Sequence, residues 1–156
     1  MIHLQLVAVQ VELARKAAAA EGLEVVEKTI TKTDEVLQAA QALSGVDAIY
    51  VPTDNAVVSG LDSVLSVAEA QKIPVIAGEA DSVAKGALIT YGLDYYQLGV
   101  QTGEMAVKIL TEGANPGEMP VESQKTPELV INTAAAERMG VTVPQSLLDR
   151  ADKKVS

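Results

Sequence analysis

Five short apolar runs, each bounded by turn signals and separated by helix-like text, constrain this chain more than any other feature. They are LEVVEKTI (23–30), DAIYVP (47–52), IPVIAG (73–78), GALITYG (86–92) and ELVIN (128–132). A strand with one wet face alternates apolar and polar residues. These runs do not alternate, so both faces are expected to be buried, as in a parallel sheet covered by helices. Between them, Thr33-Asp34-Glu35 is expected to start a helix, with Thr33 as N-cap and acids in the first turn; it continues through VLQAAQAL and stops at Gly45. Further helices are expected over 56–71, over 81–85 as a short turn or helix, and over 94–112, which Gly113 ends. The stretch 114–127 carries three prolines and reads as a surface excursion. ELVIN is the last strand, and Pro144 opens a small terminal helix at its first position. The alternation specifies an α/β fold: a three-layer, doubly wound parallel sheet of the flavodoxin-like kind.

The start departs from that plan. A doubly wound domain opens with a strand, a loop and a helix, yet residues 4–21 contain no Gly, Pro, Ser, Asn or Asp to turn the chain. Leu4, Val7, Ala8, Val11 and Ala18 fall at helical spacing, as do Leu6, Val9, Leu13 and Ala17. One continuous helix fits at least as well as a strand over 2–7 followed by a helix. With the helix, the sheet lacks an expected central strand.

The 156 residues make one domain, 1–156, long enough to bury a core. A net charge of −9 would be repelled by phosphate backbones, so nucleic acid is excluded as a partner. With no cysteine, disulfides, thiolate chemistry and Cys-ligated zinc are excluded too. No run approaches the roughly 20 apolar residues that span a bilayer. The opening MIHLQLVAVQVELARK does not read as a signal peptide, so the expectation for the chain as it stands is the cytoplasm.

In parallel α/β sheets, ligands gather beyond the carboxyl ends of the strands. Three such ends carry polar residues: Thr53-Asp54-Asn55, Glu79-Ala80-Asp81 and Leu93-Asp94-Tyr95-Tyr96. Helix N-termini follow, offering backbone N–H groups to an anion such as a carboxylate. The plainer reading is that Asp54, Asp81 and Asp94 cap helices. For each residue alone capping is the better account, while three loops converging on one rim favour a pocket. Three of the four tyrosines lie at or near the last of these ends, in TYGLDYY (90–96), in a chain with no Phe or Trp. Catalytic chemistry finds no support. The single histidine, His3, sits at the terminus, and neither a G-x-G-x-x-G nor a Walker A loop is present. A Ser-His-Asp triad cannot be assembled. The expectation is no enzyme, no metal and no cofactor.

Three stretches carry a resemblance: DAIYVPTDNAVVSGL, IPVIAGEADSVAKGALITYGLDYYQLGVQTGEMAVKIL and ELVINTAAAERMGVTVPQSLL. They resemble the substrate-binding proteins of ABC importers, in the group that binds tryptophan or other aromatic amino acids, from about Val9 to near the C-terminus. Such proteins have two similar α/β lobes of the type I periplasmic-binding fold, joined by a hinge, with ligand clamped between them. The chain resembles the second lobe only; residues 1–8 replace its first strand atypically. The resemblance implies that the helix over 94–112 is one that packs on the first lobe. Its apolar stripe of Leu98, Met105, Ala106, Ile109 and Leu110 must then fold back on its own sheet or dock on a second copy, and a homodimer is expected.

By the same resemblance, Thr53, Asp54, Asn55, Glu79, Asp94 and Tyr95 would face an amino-acid-like ligand. Acidic and amide groups would hold its ammonium; backbone N–H groups and hydroxyls would take its carboxylate. The family's other partner is the ABC permease, and its full-length members are extracytoplasmic, periplasmic or lipid-anchored. A lone lobe is expected to bind weakly or not at all. The rival reading is a flavodoxin-like phosphate- or flavin-binding or signalling domain, which would need a phosphate loop after the first strand.

Overall fold

Apolar runs become strands here only where a neighbouring strand meets their peptide groups. The structure, a computed structural model, describes residues 4–156. Helix α1 spans Leu4–Ala20 without a break, so the continuous-helix reading holds for the described part of the N-terminal segment; residues 2 and 3 of the alternative strand over 2–7 lie outside the described residues. A five-stranded sheet follows in the order β1-β2-β3-β4-β5: β1 Ile49–Val51, β2 Val75–Ala77, β3 Ile89–Gly92, β4 Glu128–Asn132 and β5 Lys153–Val155. It is mostly parallel. Strands β1, β2 and β3 run together, β4 is antiparallel to β3, and β5 is parallel to β4.

Segment 23–30 was expected as a strand and is not one. Its residues lie outside the sheet, and only Val25 and Ile30 are withdrawn from solvent. The physical reason is pairing. An apolar run joins a sheet through its backbone, and α1 occupies the part of the chain that would have supplied the adjoining strand. Strand β5 went unforeseen because KKV carries no apolar pattern. It is fixed instead by two bonds: Leu129 N–H donates to the Asp152 carboxylate at 2.8 Å, and Asp152 N–H donates to the Leu129 carbonyl at 2.9 Å.

The helices depart from expectation at identifiable residues. A 3₁₀ turn, Thr33–Glu35, precedes α2, Val36–Gln41. Lys32, not Thr33, holds the N-cap position; the Thr33 hydroxyl donates to the Ala56 carbonyl instead. The expected helix over 56–71 is split into α3, Asn55–Ser59, and α4, Leu61–Gln71. The break is Gly60, where a Cβ would stand 2.8 Å from a methyl of Val36, so α2 can lie this close only over a glycine. Helix α5 is Ala80–Ala84 and α6 is Tyr95–Glu112, which ends at left-handed Gly113 as the sequence suggests. Helix α7, Thr133–Met139, was not anticipated. Asn132 caps it by accepting from Ala135 N–H and also donates to the Val83 carbonyl. Pro144 stands at the N-cap of α8, Gln145–Leu148, one position earlier than expected.

The main core joins α2, α4, α7 and one face of β1 and β2: Val36, Ala40, Leu61, Val64, Ala68, Met139, Ile49, Val51, Val75 and Ala77 are all buried. A salt bridge from Arg138 to Glu69 and a hydrogen bond from the Lys72 ammonium to the Arg138 carbonyl tie α7 to the end of α4. The other face is bare across β1, β2 and β3, where Tyr50 is 45%, Ile76 38% and Tyr91 66% exposed. Helix α6 does not cover it, since no residue of α6 is buried. Of the two resting places considered for its stripe, the chain's own sheet is therefore not the one adopted. Core and edge should respond differently to truncation. Leu61→Ala is expected to cost about 2–5 kcal/mol of unfolding free energy. Leu37→Ala, on the exposed side of α2, should cost under about 0.5 kcal/mol. Urea titrations of the two variants check both.

Candidate functional site

The carboxyl ends of β1, β2 and β3 end side by side, and each releases the chain into a helix through a capped turn. Asp54 accepts from Ala56 N–H at 2.9 Å and Val57 N–H at 3.1 Å. Glu79 accepts from Asp81 N–H at 2.7 Å and Ser82 N–H at 2.9 Å, and from the Ser82 hydroxyl. Asp94 accepts from Tyr96 N–H at 2.9 Å and Gln97 N–H at 3.1 Å. The capping reading therefore holds for Asp54 and Asp94. In the middle loop the cap is Glu79 rather than Asp81, which is exposed. Asp has the stronger intrinsic preference for a cap, and the longer Glu side chain serves here because it also takes the Ser82 hydroxyl.

This changes what the rim can bind. The N–H groups expected to receive a ligand carboxylate are already taken by the protein's own carboxylates. The two oxygens of Glu79 are both engaged, while Asp54 and Asp94 each use only Oδ1. Among the described residues, the rim is thus a surface for a cation more than for an anion.

Glycines let the loops close on one another. A Cβ on Gly78 would lie 2.7 Å from the Thr53 hydroxyl oxygen, and one on Gly92 would lie 2.4 Å from the Gly78 carbonyl oxygen. Leu93 and Glu79 form a lone parallel bridge beyond the ends of β3 and β2. Thr53, Glu79, Asp94 and Tyr95 are so gathered onto contiguous loops. Asp54 is buried at 5% exposure beneath its own helix start, whereas Asn55 is exposed as the first residue of α3. Two rim residues escaped the sequence reading. Gln10, on α1, accepts a hydrogen bond from Thr53 N–H at 3.3 Å; nothing local in a helix of alternating apolar residues marks it. Thr90, at 1% exposure, holds a hydroxyl with no hydrogen-bond partner among the described residues, 2.6 Å from where a Gly92 Cβ would stand.

Tyr95 senses the charge of this rim. Partial burial pushes its phenol above the ordinary tyrosine range, and the neighbouring Glu79 and Asp81 carboxylates push it further. A hollow of about 490 Å³, lined in part by Asp94, lies between α6 and residues 124–128. Gln101 spans it to Glu122 and to the Ser123 carbonyl, so it belongs to the seating of α6. Among the described residues no group of His, Asp or Glu is arranged to hold a metal ion.

The chain is thus a mostly parallel sheet with a polar rim at its strand ends. Residues 4–155 match the model of the family described as "ABC transporter substrate binding protein", and the chain belongs to that family. The family is one of substrate-binding proteins, not enzymes, and is extracytoplasmic. The tyrosine-binding protein of Clostridioides difficile is 44% identical over 125 residues, which cover 80% of this chain and 36% of that protein. An ABC domain from Streptococcus pneumonia, solved in complex with L-Trp, superposes with a TM-score of 0.86 at 35% identity, covering 95% of this chain and 50% of that one. A conserved domain protein from Vibrio cholerae superposes with a TM-score of 0.87 at 38% identity and the same coverage. The chain thus spans between a third and a half of the length of these relatives.

Neutralising a rim charge should be visible in the phenol. Asp81→Asn is expected to lower the Tyr95 ionisation toward the ordinary tyrosine value. Site-resolved NMR titration of the Tyr95 ring reads it.

Proposed function

We propose that this chain forms one wall of an amino-acid-binding cleft, the second lobe of an ABC importer's solute-binding protein, with Thr53, Asp54, Asn55, Glu79, Asp94 and Tyr95 facing the ligand. The observation that carries the reading is the convergence of three capped loops on one acidic rim, with Tyr95 standing over it half-exposed. The free oxygen of Asp94 suits an α-ammonium group, and the Tyr95 ring offers a face to an aromatic side chain. The ligand carboxylate is left for the opposite wall, because the N–H groups on this side are occupied. Relatives that bind tyrosine and L-Trp support an aromatic amino acid as the ligand class. The corresponding partner is an ABC permease. A phosphate- or flavin-binding role is disfavoured, since each of the three helix N-termini on the rim already holds a carboxylate that would repel a phosphate.

One wall leaves half of a ligand's surface in water, so the isolated chain should bind feebly. Calorimetry with L-Tyr and L-Trp is expected to show no binding in the micromolar range, and micromolar affinity would overturn the half-cleft reading. Joined to the remaining half of the Clostridioides difficile tyrosine-binding protein, the lobe should bind an aromatic amino acid. In that hybrid Tyr95→Ala should cost about 0.5–1.5 kcal/mol, roughly a two- to twelvefold loss of affinity. A hybrid that folds and binds no aromatic amino acid would sink the proposed ligand class.

The stripe on α6 bears on association. Leu110 is 82% exposed, and no residue of the helix is buried. The reading extends to a homodimer in which this stripe is covered by a second copy. Light scattering should then give twice the chain mass, and Leu110→Glu should halve it without unfolding the lobe. A mass of one chain at all concentrations would count against the dimer.

A further inference from the structure

Two hydrogen-bonding groups at the end of β1 are left unused by the rim's own structure. The first comes from α1. Thr53 N–H donates to the Gln10 side chain at 3.3 Å, so the carboxamide turns its oxygen toward Thr53 and its NH2 away. That NH2 meets no acceptor among the described residues, and Gln10 is only half-buried. The second is the Thr53 hydroxyl, which likewise makes no hydrogen bond among the described residues. It stands toward β2, where a Cβ on Gly78 would come within 2.7 Å of it.

This pair differs in kind from the rest of the rim. Asp54, Glu79 and Asp94 are carboxylates committed to helix starts. Gln10 and Thr53 are neutral; both have hydrogens to give, and Thr53 also has lone pairs to receive. A ligand carboxylate is the wrong guest for them. Asp54 follows Thr53 in the chain and Glu79 follows Gly78, so an anion there would lie beside two carboxylates. A neutral hydroxyl carries no such penalty, and it can accept from one group while donating to the other.

The order of the strands says which hydroxyl. The loops after β1, β2 and β3 follow the sheet order, so Thr53 and Asp94 are separated by two strand spacings, about 10 Å. An aromatic amino acid hydrogen-bonded at each end has a length of that order. Between the two lies the end of β2, where Gly78 raises no side chain. Tyr95, half-exposed, reaches this middle loop: the Glu79 and Asp81 carboxylates both act on its phenol.

We propose that Gln10 and Thr53 are a specificity-determining pair, an inference that rests on the reading of the rim as one wall of an aromatic amino-acid cleft. With the ammonium at Asp94 and the ring over Gly78, the Gln10 carboxamide donates to a hydroxyl at the far end of the ligand's ring, and the Thr53 oxygen accepts from it. The lobe then favours tyrosine over phenylalanine. Phenylalanine would cover both groups without bonding either, and polar groups kept from water and left unpaired are costly. Because Gln10 and Thr53 are half-buried, the preference is about three- to tenfold rather than the several orders of magnitude of an enclosed site.

The test uses the full chain, isotope-labelled for NMR and titrated with L-Tyr and L-Phe at matched concentrations. Both ligands present the same ammonium to Asp94, so the initial slopes of the Asp94 amide shift compare their affinities even where binding is too weak to saturate. L-Tyr is expected to give a slope about three- to tenfold steeper, and the Gln10 carboxamide hydrogens should shift with L-Tyr alone. Gln10→Met, which keeps the length of the side chain, and Thr53→Val, which keeps its shape, should each bring the ratio of slopes toward one. Undisturbed amides at Val75 and Ala77 in the buried core show that each variant is folded. Equal slopes in the original chain with a silent Gln10 carboxamide would overturn the pair and leave the wall standing. A ratio that survives both substitutions would overturn it as well. Silence at Asp94 and Tyr95 with either ligand would sink the wall itself, and the pair with it.

Discussion

A peptide group in a covered sheet has an N–H and a carbonyl that water cannot reach, and only the next strand can take them. In this chain β2 and β3 are paired on both sides, and their neighbours on the core face are buried to a few percent. Strand β1 is paired on one side only. The whole left margin of the molecule follows from that asymmetry. Segment 23–30 has strand composition without strand structure, Tyr50 and Ile76 keep much of their surface in water, and α1 is held to the rim by the contact of Gln10 with Thr53. Apolar composition sets where a segment would be content; backbone pairing decides whether it is a strand.

The same economy of partners shapes the rim. Three helices begin there, and each needs its first N–H groups satisfied. The chain uses Asp54, Glu79 and Asp94 for this, which stiffens the loops and leaves the surface acidic. Gly78 and Gly92 then let the loops approach to distances that no side chain would permit. The unpaired hydroxyl of Thr90 sits under that contact, a local cost of tight closure between loops.

How far the fold and site could be read from residues alone depends on range. The α/β class was legible because apolar strand runs alternate with helix text; the expected burial on both faces held for ELVIN, whereas IPVIAG is open on its outward face at Ile76. Gly113 was legible as a helix end because a left-handed residue is a local requirement. The fate of 23–30, the reversed direction of β4 and the existence of β5 were not, since each depends on a partner distant in sequence. The gathering of Thr53, Glu79, Asp94 and Tyr95 on one rim followed from the rule that strand ends converge. Gln10 on that rim did not, because its role arises only from where α1 happens to lie. The exchange of Asp81 for Glu79 as cap turned on a side-chain length that sequence preference alone ranks the other way.

The reversal between β3 and β4 has one more consequence. Gly92 and Glu128 are paired across the sheet, so the chain leaves and re-enters at adjacent points. Everything between them, α6 and the proline-bearing excursion, is a loop in the topological sense, whose ends the sheet already holds together. The entropy of closing such a loop grows only slowly with its length. The sheet therefore works as a socket, and the excursion as an appendage that could be lengthened, shortened or exchanged while the strands on either side keep their register.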